Sequence, residues 1–224
     1  MSSKENLISL RVWGDHALFT RPEMKVERVS YDVMTPSAAR GILEAILWKP
    51  AIRWIIQRID VLNPIRWTSI RRNEVSEVVS VASVRQAMKR GSGSLGLCVE
   101  DHRQQRAGLL LRDVDYVIHA RVAMTDRAGP EETPRKFLEM FQRRASRGQC
   151  FNQPYLGCRE FSAAFQWLGD GDELPMPIAE SRDLGWMLHD LDYDGDSPQP
   201  RFFRAALDNG RLHVPAPDSG EVLG

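Results

Sequence analysis

The chain has 224 residues, of which 42% are hydrophobic and 27% are charged, a mixture typical of a globular protein that buries its own core. It contains no run of 18 apolar residues, which excludes a membrane-spanning helix, and its three cysteines form no CxxC pair, which argues against a zinc site. The net charge is zero, but residues 1–160 carry 26 basic and 18 acidic side chains, whereas residues 161–224 carry 4 and 12. A basic body with an acidic C-terminal segment is typical of a protein with an anionic partner. Charges clustered on solvated faces give the same pattern without any partner.

The N-terminal sequence MSSKENLISL lacks the long apolar segment of a secretory signal peptide. An odd number of cysteines without such a signal is typical of reduced thiols. We therefore expect a cytoplasmic protein with no membrane partner.

The first predicted elements are a strand and a helix. Residues 6–15 alternate apolar and polar side chains, which predicts a strand with one buried face. Residues 35–48 place apolar side chains at helical spacing, with Thr35 as a candidate N-cap, Pro36 in the first turn and Pro50 as the stop. The pattern predicts a short helix after the first strand.

Two further strands and an insertion are predicted next. Residues 51–62 are rich in Ile, Val and Trp, and the Asn63-Pro64 pair ends this second strand. Residues 65–75 are predicted as a polar, basic strand. Residues 76–108 contain the segments KRGSGSLG and VEDHRQQRAG, so we expect a flexible insertion there.

A strand, a helix and a strand complete the basic body. Residues 109–124 have the clearest strand pattern of the chain. Residues 133–148 predict a helix that is capped by Thr133 and terminated by Gly148. Residues 155–168 are predicted as the closing strand. The resulting order, βαββαβ, is typical of ferredoxin-like domains, which RNA-recognition modules also use.

We therefore predict an α+β fold in which residues 1–168 form a ferredoxin-like (RRM-like) domain. The acidic segment 169–224 is rich in Pro and Gly and predicts a small C-terminal antiparallel β domain. Within it, Asn209-Gly210 lies between two short strand-like runs, which is a strong hairpin signal.

Two short motifs resemble ligand sites without the context that such sites need. GSGSLG, residues 91–96, matches GxGxxG, but no strand precedes it and no helix follows, so a flexible loop is favoured over a dinucleotide site. DLDYDGDSPQPR, residues 190–201, begins like an EF-hand loop, but Arg201 stands where a bidentate Glu is needed. An acidic turn is favoured there, and we predict neither a metal nor a cofactor.

The strand VDYVIHARV carries the candidate chemistry. Because side chains alternate along a strand, His119 and Arg121 are neighbours on one face. An imidazole exchanges protons near neutral pH, and a guanidinium holds a phosphate with its planar fork. Together they can promote attack of an RNA 2′-OH on the adjacent phosphorus without a metal. The alternative is a solvated strand face with a paired histidine.

Basic side chains flank the first helix, occur in the third strand and in the flexible insertion, and cover the polar side of the second helix. An RNA phosphate track is one interpretation of this distribution. The candidate RNA-binding residues are Arg28, Arg40, Arg53, Arg71, Arg72, Lys89, Arg90, Arg143 and Arg144.

Four linked segments resemble one family: VWGDHALFTRPEMKVERVSYDVMTPSAARGILEAILWKP, RRNEV, LRDVDYVIHARV and FNQPYLGCREFSAAF. In this order they are similar to the Dvulg (type I-C) branch of the Cas-five proteins of CRISPR systems, over most of the chain. The resemblance implies a ferredoxin-like RNA-binding domain with a small C-terminal β domain. It also implies a metal-independent endoribonuclease that cuts precursor CRISPR RNA within its repeats, beside the hairpin, and stays on the crRNA 5′ handle in the interference complex.

The resemblance implies an active site made of a Tyr just before WKP and of Lys and His from the later strand. Here Leu47 stands at the Tyr position, and the strand offers His119 and Arg121. Tyr31 and Lys49 are the further catalytic candidates. The expected partners are precursor CRISPR RNA, mature crRNA, the other interference-complex subunits and possibly DNA. Two alternatives stay open: a non-catalytic subunit that binds the crRNA handle, and a metal-dependent DNA nuclease.

Overall fold

The computed structural model describes residues 7–93, 95–169, 171–193 and 197–224. Within these ranges it contains three helices and a single sheet of nine strands. The elements are, in chain order, β1 (Leu7–Ala17), β2 (Arg28–Val29), α1 (Pro36–Ile46), β3 (Ile52–Val61), β4 (Arg66–Val75), α2 (Val81–Arg90), β5 (Arg103–Met124), α3 (Pro134–Ala145), β6 (Ala164–Leu168), β7 (Arg182–Asp192), β8 (Gln199–Asp208) and β9 (Arg211–His213).

The sheet is built around β5. The strand order is β6-β1-β5-β3-β9-β8-β7, and β2 and β4 pair with the first half of β5 outside this path. The β2–β5 pair is parallel, whereas the other strand pairs of the described residues are antiparallel. The fold is therefore a large, predominantly antiparallel sheet with few helices.

Local sequence signals begin both main helices. The Thr35 hydroxyl accepts a hydrogen bond from the amide of Ala38, and the Thr133 hydroxyl accepts one from the amide of Lys136. Each threonine is followed by a proline, whose missing N–H costs nothing in the first turn. The predicted N-caps of both helices are thus confirmed.

The apolar sides of α1 and α3 form one core with the sheet. Ile42 and Leu43 of α1 and Phe137 and Phe141 of α3 are fully buried there. The rings of Phe141 and Trp54 pack with their centroids 4.7 Å apart. Truncating such a buried aromatic ring to alanine costs about 3–5 kcal/mol, so this contact fixes α3 on the sheet.

The opposite face of the same strands is polar. On β1 and β5 the side chains that point away from the core are Ser9, Arg11 and Trp13, and Asp115, Val117, His119 and Arg121. The buried side chains of α1 and α3 belong to the core on the other side. We call this second surface, centred on β1, β5 and β3, the polar face.

The structure differs from the sequence prediction in two segments. Within residues 76–108, where no element was predicted, the chain forms α2 and the first residues of β5, which pair with β4. Good helix-forming residues and a left-handed Gly91 at the C-cap explain α2. Residues 155–163 are not a strand: the amide of Leu156 donates to the carbonyl of Phe161, so the chain turns before β6 begins.

The C-terminal segment forms the predicted hairpin. Asn209 and Gly210 have φ values of 47° and 73°, as the tight β8–β9 turn requires. Strand β9 also pairs with β3, so the C-terminal strands continue the main sheet. The domain boundary at residue 168 stays a prediction. Of the predicted acidic turn, Asp194 and Gly195 lie outside the described residues.

Candidate functional site

His119 lies at the centre of the polar face and is almost completely buried, with 4% of its surface exposed. Its Nδ1 atom is 2.9 Å from the Ser9 hydroxyl. Its Nε2 atom is 3.0 Å from Oδ2 of Asp60 and 2.9 Å from a guanidinium nitrogen of Arg58. Arg58 in turn donates to both carboxylate oxygens of Asp60. The predicted proton-transfer residue is therefore held by a four-residue polar network.

This network has two alternative hydrogen-bonding arrangements for a neutral imidazole, because Nε2 cannot donate and accept at once. If Nε2 carries the proton, it donates to Asp60, and the Ser9 hydroxyl donates to Nδ1. If Nδ1 carries the proton, it donates to Ser9, and Arg58 donates to Nε2. Each ring nitrogen has one hydrogen-bond partner in either tautomer, while the second neighbour of Nε2, Arg58 in the first case and Asp60 in the second, lies within 3.0 Å of it without a hydrogen bond to it.

Asp60 carries the negative charge of the network. Burial acts to raise the pKa of Asp60, but the hydrogen bonds from His119 and Arg58 and the positive charge of Arg58 outweigh burial and hold that pKa below its ordinary value. The carboxylate is therefore ionised at neutral pH.

Other basic side chains extend the polar face. Arg121 is exposed two residues after His119. Arg11 donates two hydrogen bonds to Asp115, at 2.6 and 3.1 Å, and its guanidinium carbon lies 5.4 Å from the ring centre of Trp13. Trp13 is 36% exposed. A solvent-accessible indole beside guanidinium groups is the kind of surface on which an unpaired RNA base stacks.

The structure places Tyr31 and Lys49 in different surroundings from His119. Tyr31 is buried, and its phenolic oxygen accepts a hydrogen bond of 3.2 Å from the amide of Leu188. Burial is the main reason why the pKa of Tyr31 lies above its ordinary value. Lys49 is exposed just beyond α1, whereas Tyr31 precedes that helix. No hydrogen bond among the described residues joins either side chain to His119.

Leu47, which the resemblance aligns with the family Tyr, is fully buried. Its amide donates to the carbonyl of Leu43 and its own carbonyl accepts from the Trp54 indole at 3.0 Å. The side chain at this position therefore belongs to the core and not to an exposed site.

Four of the nine predicted RNA-binding residues make internal polar contacts. Arg40 donates to both oxygens of Asp190 and of Glu44. Arg144 donates to the carbonyl of Ile46 and thereby gives a hydrogen-bond partner to a carbonyl group at the C-terminal end of α1. Arg28 and Arg72 contact acidic residues of the sheet. The side chains that remain exposed are Arg53, Arg71, Lys89, Arg90 and Arg143. The nine residues lie on six elements: β2, α1, β3, β4, α2 and α3.

One carboxylate forms ion pairs with three arginines on the part of the sheet made by β2, β4 and β5. Glu74 lies 3.6 Å from Arg28, 3.3 Å from Arg72 and 3.4 Å from Arg106. Arg72 and Arg106 are direct cross-strand partners, an arrangement that repels unless an anion lies between them. Arg72 also contacts Glu160 at 3.0 Å. We call these three arginines the arginine cluster; the sequence pattern did not bring its members together.

A cavity of about 460 Å³ lies beside the open edge of β3 and was not foreseen from the sequence. Its walls come from α1, β3, β7, β8 and the C-terminal segment, which are distant in sequence. The polar groups that line it include Arg53, His189, Tyr193, Arg201 and Ser219.

Two negative findings apply to the residues that the structure describes. They contain no cluster of three or more His, Cys, Asp or Glu side chains with the spacing of a metal site. None of their helices is both long enough and apolar enough to cross a membrane.

Comparisons with known proteins agree with this architecture. The model of the Cas5d family, described as CRISPR-associated protein (Cas_Cas5), matches residues 7–215. The chain is 57% identical over 215 residues to the CRISPR pre-crRNA endoribonuclease Cas5d of Mannheimia succiniciproducens, with 94% of this chain and 95% of that protein covered. It is 41% identical over 227 residues to the protein of the same name from Thermus thermophilus, with 93% and 91% covered.

A solved structure of a CRISPR-associated protein matches with a TM-score of 0.69 and 23% sequence identity, and covers 97% of this chain and 96% of that one. At this level of identity the likeness concerns the fold. The family model and the two relatives cover nearly the whole sequence, including the polar face. The chain therefore belongs to the Cas5d family of CRISPR-associated proteins.

Proposed function

We propose that this chain is a metal-independent endoribonuclease that cleaves precursor CRISPR RNA within its repeats, beside the hairpin. The observation that carries the proposal is the 57% identity, over nearly the full length of both chains, to a protein named CRISPR pre-crRNA endoribonuclease. After cleavage the protein stays on the crRNA 5′ handle as a cytoplasmic subunit of the type I-C interference complex. Its partners are then precursor and mature crRNA and the other subunits.

We further propose that β1, α1, β3, β5, α3 and β6 form a ferredoxin-like βαββαβ unit. The strand order β6-β1-β5-β3 and the positions of α1 after β1 and of α3 before β6 support this assignment. Such a unit leaves one sheet face free of helices, which is the face that related RNA-binding modules use.

The polar face is the proposed RNA-binding surface. Exposed Arg121 offers a planar fork for a phosphate, and Trp13 offers a ring on which a base stacks. RNA extending towards β4 then meets the arginine cluster, where phosphate oxygens compete with Glu74 for the guanidinium groups. Binding of this kind is electrostatic and depends strongly on salt.

The proposed reaction is an internal transesterification. The 2′-OH loses its proton and attacks the adjacent phosphorus, the P–O5′ bond breaks, and the leaving 5′ oxygen gains a proton. The products are a 2′,3′-cyclic phosphate and a 5′-hydroxyl. Arg121 stabilises charge on the phosphate oxygens, and His119 transfers a proton; the two tautomers of its network support this role. Tyr31 and Lys49 stay predictions as catalytic residues.

The alternative is a subunit that binds the crRNA handle without cutting. Two observations favour it: Leu47 is buried where the family resemblance implies a Tyr, and only 4% of the His119 surface is exposed. In that case the polar face binds RNA and the His119 network is structural.

One experiment separates these functions. Purified protein is incubated with labelled repeat RNA in excess EDTA, and with the same RNA carrying a single 2′-deoxy nucleotide just 5′ of the cut. We expect cleavage of the first RNA and only binding of the second. Binding of both without cleavage supports the handle-binding subunit. Cleavage of the deoxy substrate, or cleavage only after magnesium is added, contradicts the proposed reaction.

A further inference from the structure

A row of four cross-strand partners crosses the polar face. Ser9 of β1 is the partner of His119 of β5, which is also the partner of Arg58 of β3. Arg58 in turn is the partner of His213 of β9. Residues that lie directly opposite each other on neighbouring strands point to the same side of a sheet. The row therefore places a second histidine next to the His119 network, on the other side of Arg58.

His213 points away from the core. Leu212, which precedes it, is fully buried in the core, and so is Ile59, the cross-strand partner of Leu212. Because side chains alternate along a strand, His213 lies on the opposite side of the sheet, as Arg58 does. His213 is exposed, and its ring makes no hydrogen bond or ion pair with a described residue. The ring is therefore open to a ligand on the polar face.

Arg58 offers an unused donor between the two histidines. Its Nε and Nη2 atoms donate to Asp60 at 2.7 and 3.0 Å, and Nη2 also lies 2.9 Å from Nε2 of His119. Its Nη1 atom has no hydrogen-bond partner among the described residues, and the side chain is 31% exposed. Asp60 thus fixes the guanidinium in place, and Nη1 can donate to a phosphate oxygen.

The proposed reaction needs two proton transfers at two different oxygens. The 2′-OH loses a proton, and the leaving 5′ oxygen gains one. In an in-line displacement the attacking and leaving oxygens lie on opposite sides of the phosphorus. His119 is only 4% exposed, and both of its ring nitrogens lie within hydrogen-bond distance of protein groups. It can serve one of the two oxygens but not both, so the reaction needs a second proton-transfer group.

The spacing of the row suits a phosphate between the two rings. Neighbouring strands lie about 4.7–4.9 Å apart, so the backbones of His119 and His213 are separated by about 10 Å. Arg58 lies on β3, the strand between them. A phosphate that is held by Arg58 therefore has one imidazole on each side.

From this arrangement we propose that His213 is the second proton-transfer residue of the cleavage reaction. Arg58 holds the phosphate at the cut between the two histidines. One imidazole accepts the proton of the 2′-OH as the bond between O2′ and phosphorus forms, and the other gives a proton to the 5′ oxygen as the P–O5′ bond breaks. The two rings end with their protonation states exchanged, and solvent restores them. The inference rests on the proposed endoribonuclease function and adds a catalytic residue to it.

The first test is single-turnover cleavage of repeat RNA by the full chain in excess EDTA. His213→Gln keeps a polar side chain but cannot transfer a proton, so it should cut roughly 10²–10⁴-fold more slowly than the natural protein. Its affinity for the uncleavable 2′-deoxy RNA and its thermal unfolding temperature should stay close to the natural values, because the side chain is exposed. His16→Gln changes an exposed histidine of β1 outside the row and should cut at the natural rate.

A second RNA separates the roles of the two histidines. It carries sulfur in place of the 5′ oxygen at the cut, and a thiolate leaves without needing a proton because a thiol is far more acidic than an alcohol. The variant that lacks the proton donor should cut this RNA at nearly the rate of the natural protein. The variant that lacks the proton acceptor should stay slow. We expect sulfur to rescue one of His119→Ala and His213→Gln, and the rescued variant identifies the donor.

Three results would overturn the role of His213 while leaving the endoribonuclease intact. They are cleavage of repeat RNA by His213→Gln at the natural rate, rescue of both variants by sulfur, and slow cleavage of both RNAs by both variants. A natural protein that binds repeat RNA in EDTA without cutting it contradicts the endoribonuclease itself, and the role of His213 with it.

Discussion

Nε2 of His119 lies 3.0 Å from Oδ2 of Asp60, and both side chains are only 5% exposed. The pair joins the centre of β5 to β3 within the polar face. The two strands are therefore linked through buried polar side chains as well as through their backbones.

Asp60→Asn should destabilise the protein at neutral pH by about 1.5–3 kcal/mol, because it removes a charged hydrogen-bond acceptor from Arg58 and His119. The folded-state pKa of Asp60 is below its ordinary value of 3.8, so the contribution of the carboxylate is present above that pH and is lost as the pH falls through the folded-state pKa. Urea unfolding at pH 7 and at a series of lower pH values measures the unfolding free energy of both proteins. The difference between their unfolding free energies should shrink as the pH falls.

The control for this substitution is Glu139→Gln, which breaks the exposed pair between Arg135 and Glu139. This substitution should lower the free energy of unfolding by no more than about 0.2–1 kcal/mol. A loss in Asp60→Asn no larger than in the control would mean that the buried network adds nothing to stability.

His119→Ala should slow cleavage of repeat RNA by roughly 10²–10⁴-fold if His119 transfers a proton. Single-turnover cleavage is measured with saturating protein, and RNA affinity and thermal unfolding are measured in parallel. Ser9→Ala is the matched variant, since it removes the Nδ1 partner and keeps the imidazole. Unchanged cleavage by His119→Ala would remove this residue from the mechanism without changing the reaction class.

Glu74→Gln should strengthen RNA binding, because it frees the arginine cluster from its shared carboxylate. The plot of log affinity against log salt should become steeper by about 0.7 for each guanidinium that gains a phosphate of a single strand. Glu77→Gln removes the same charge from an exposed position just after β4 and serves as the control. Equal slopes for the two variants would show that RNA does not contact the cluster.

Gly210→Ala should destabilise the chain by roughly 3 kcal/mol or more, in the range of the largest single-residue effects. Gly210 has a φ of 73°, and an added Cβ would lie 2.3 Å from the carbonyl oxygen of Ile178. Gly148→Ala is the comparison, since Gly148 has a similar φ of 64° and open space around it, so it should cost only about 1 kcal/mol. Equal losses in urea unfolding would show that the close approach to Ile178 relaxes.

The features that sequence patterns predicted correctly are those that depend on residues adjacent in the chain. Thr35 and Thr133 with their prolines placed both helix starts, and Asn209-Gly210 placed the β8–β9 turn, because caps and turns are local. The alternation around His119 also placed that residue correctly on the side of β5 away from the core.

What the sequence did not predict depends on segments that meet only in the folded chain. Glu74 is surrounded by arginines from three strands, and no spacing along the chain shows this. Arg144 was predicted to bind RNA, but in the structure its guanidinium donates to the carbonyl of Ile46 at the end of α1. The His119 network needs the pairing of β1, β3 and β5, and the cavity needs five separate segments.

The pairing of β1 also has a consequence for synthesis on the ribosome. Its partners are β5, from Leu111 to Arg121, and β6, which begins at Ala164, so both neighbours are made long after β1. At about 5–20 residues per second, β1 waits for many seconds without a partner on either edge. During that interval Ile8, Leu10 and Val12, all buried in the finished fold, are exposed to other nascent chains and to chaperones. The N-terminal strand therefore cannot bury these side chains as the finished fold does until β5 has been made.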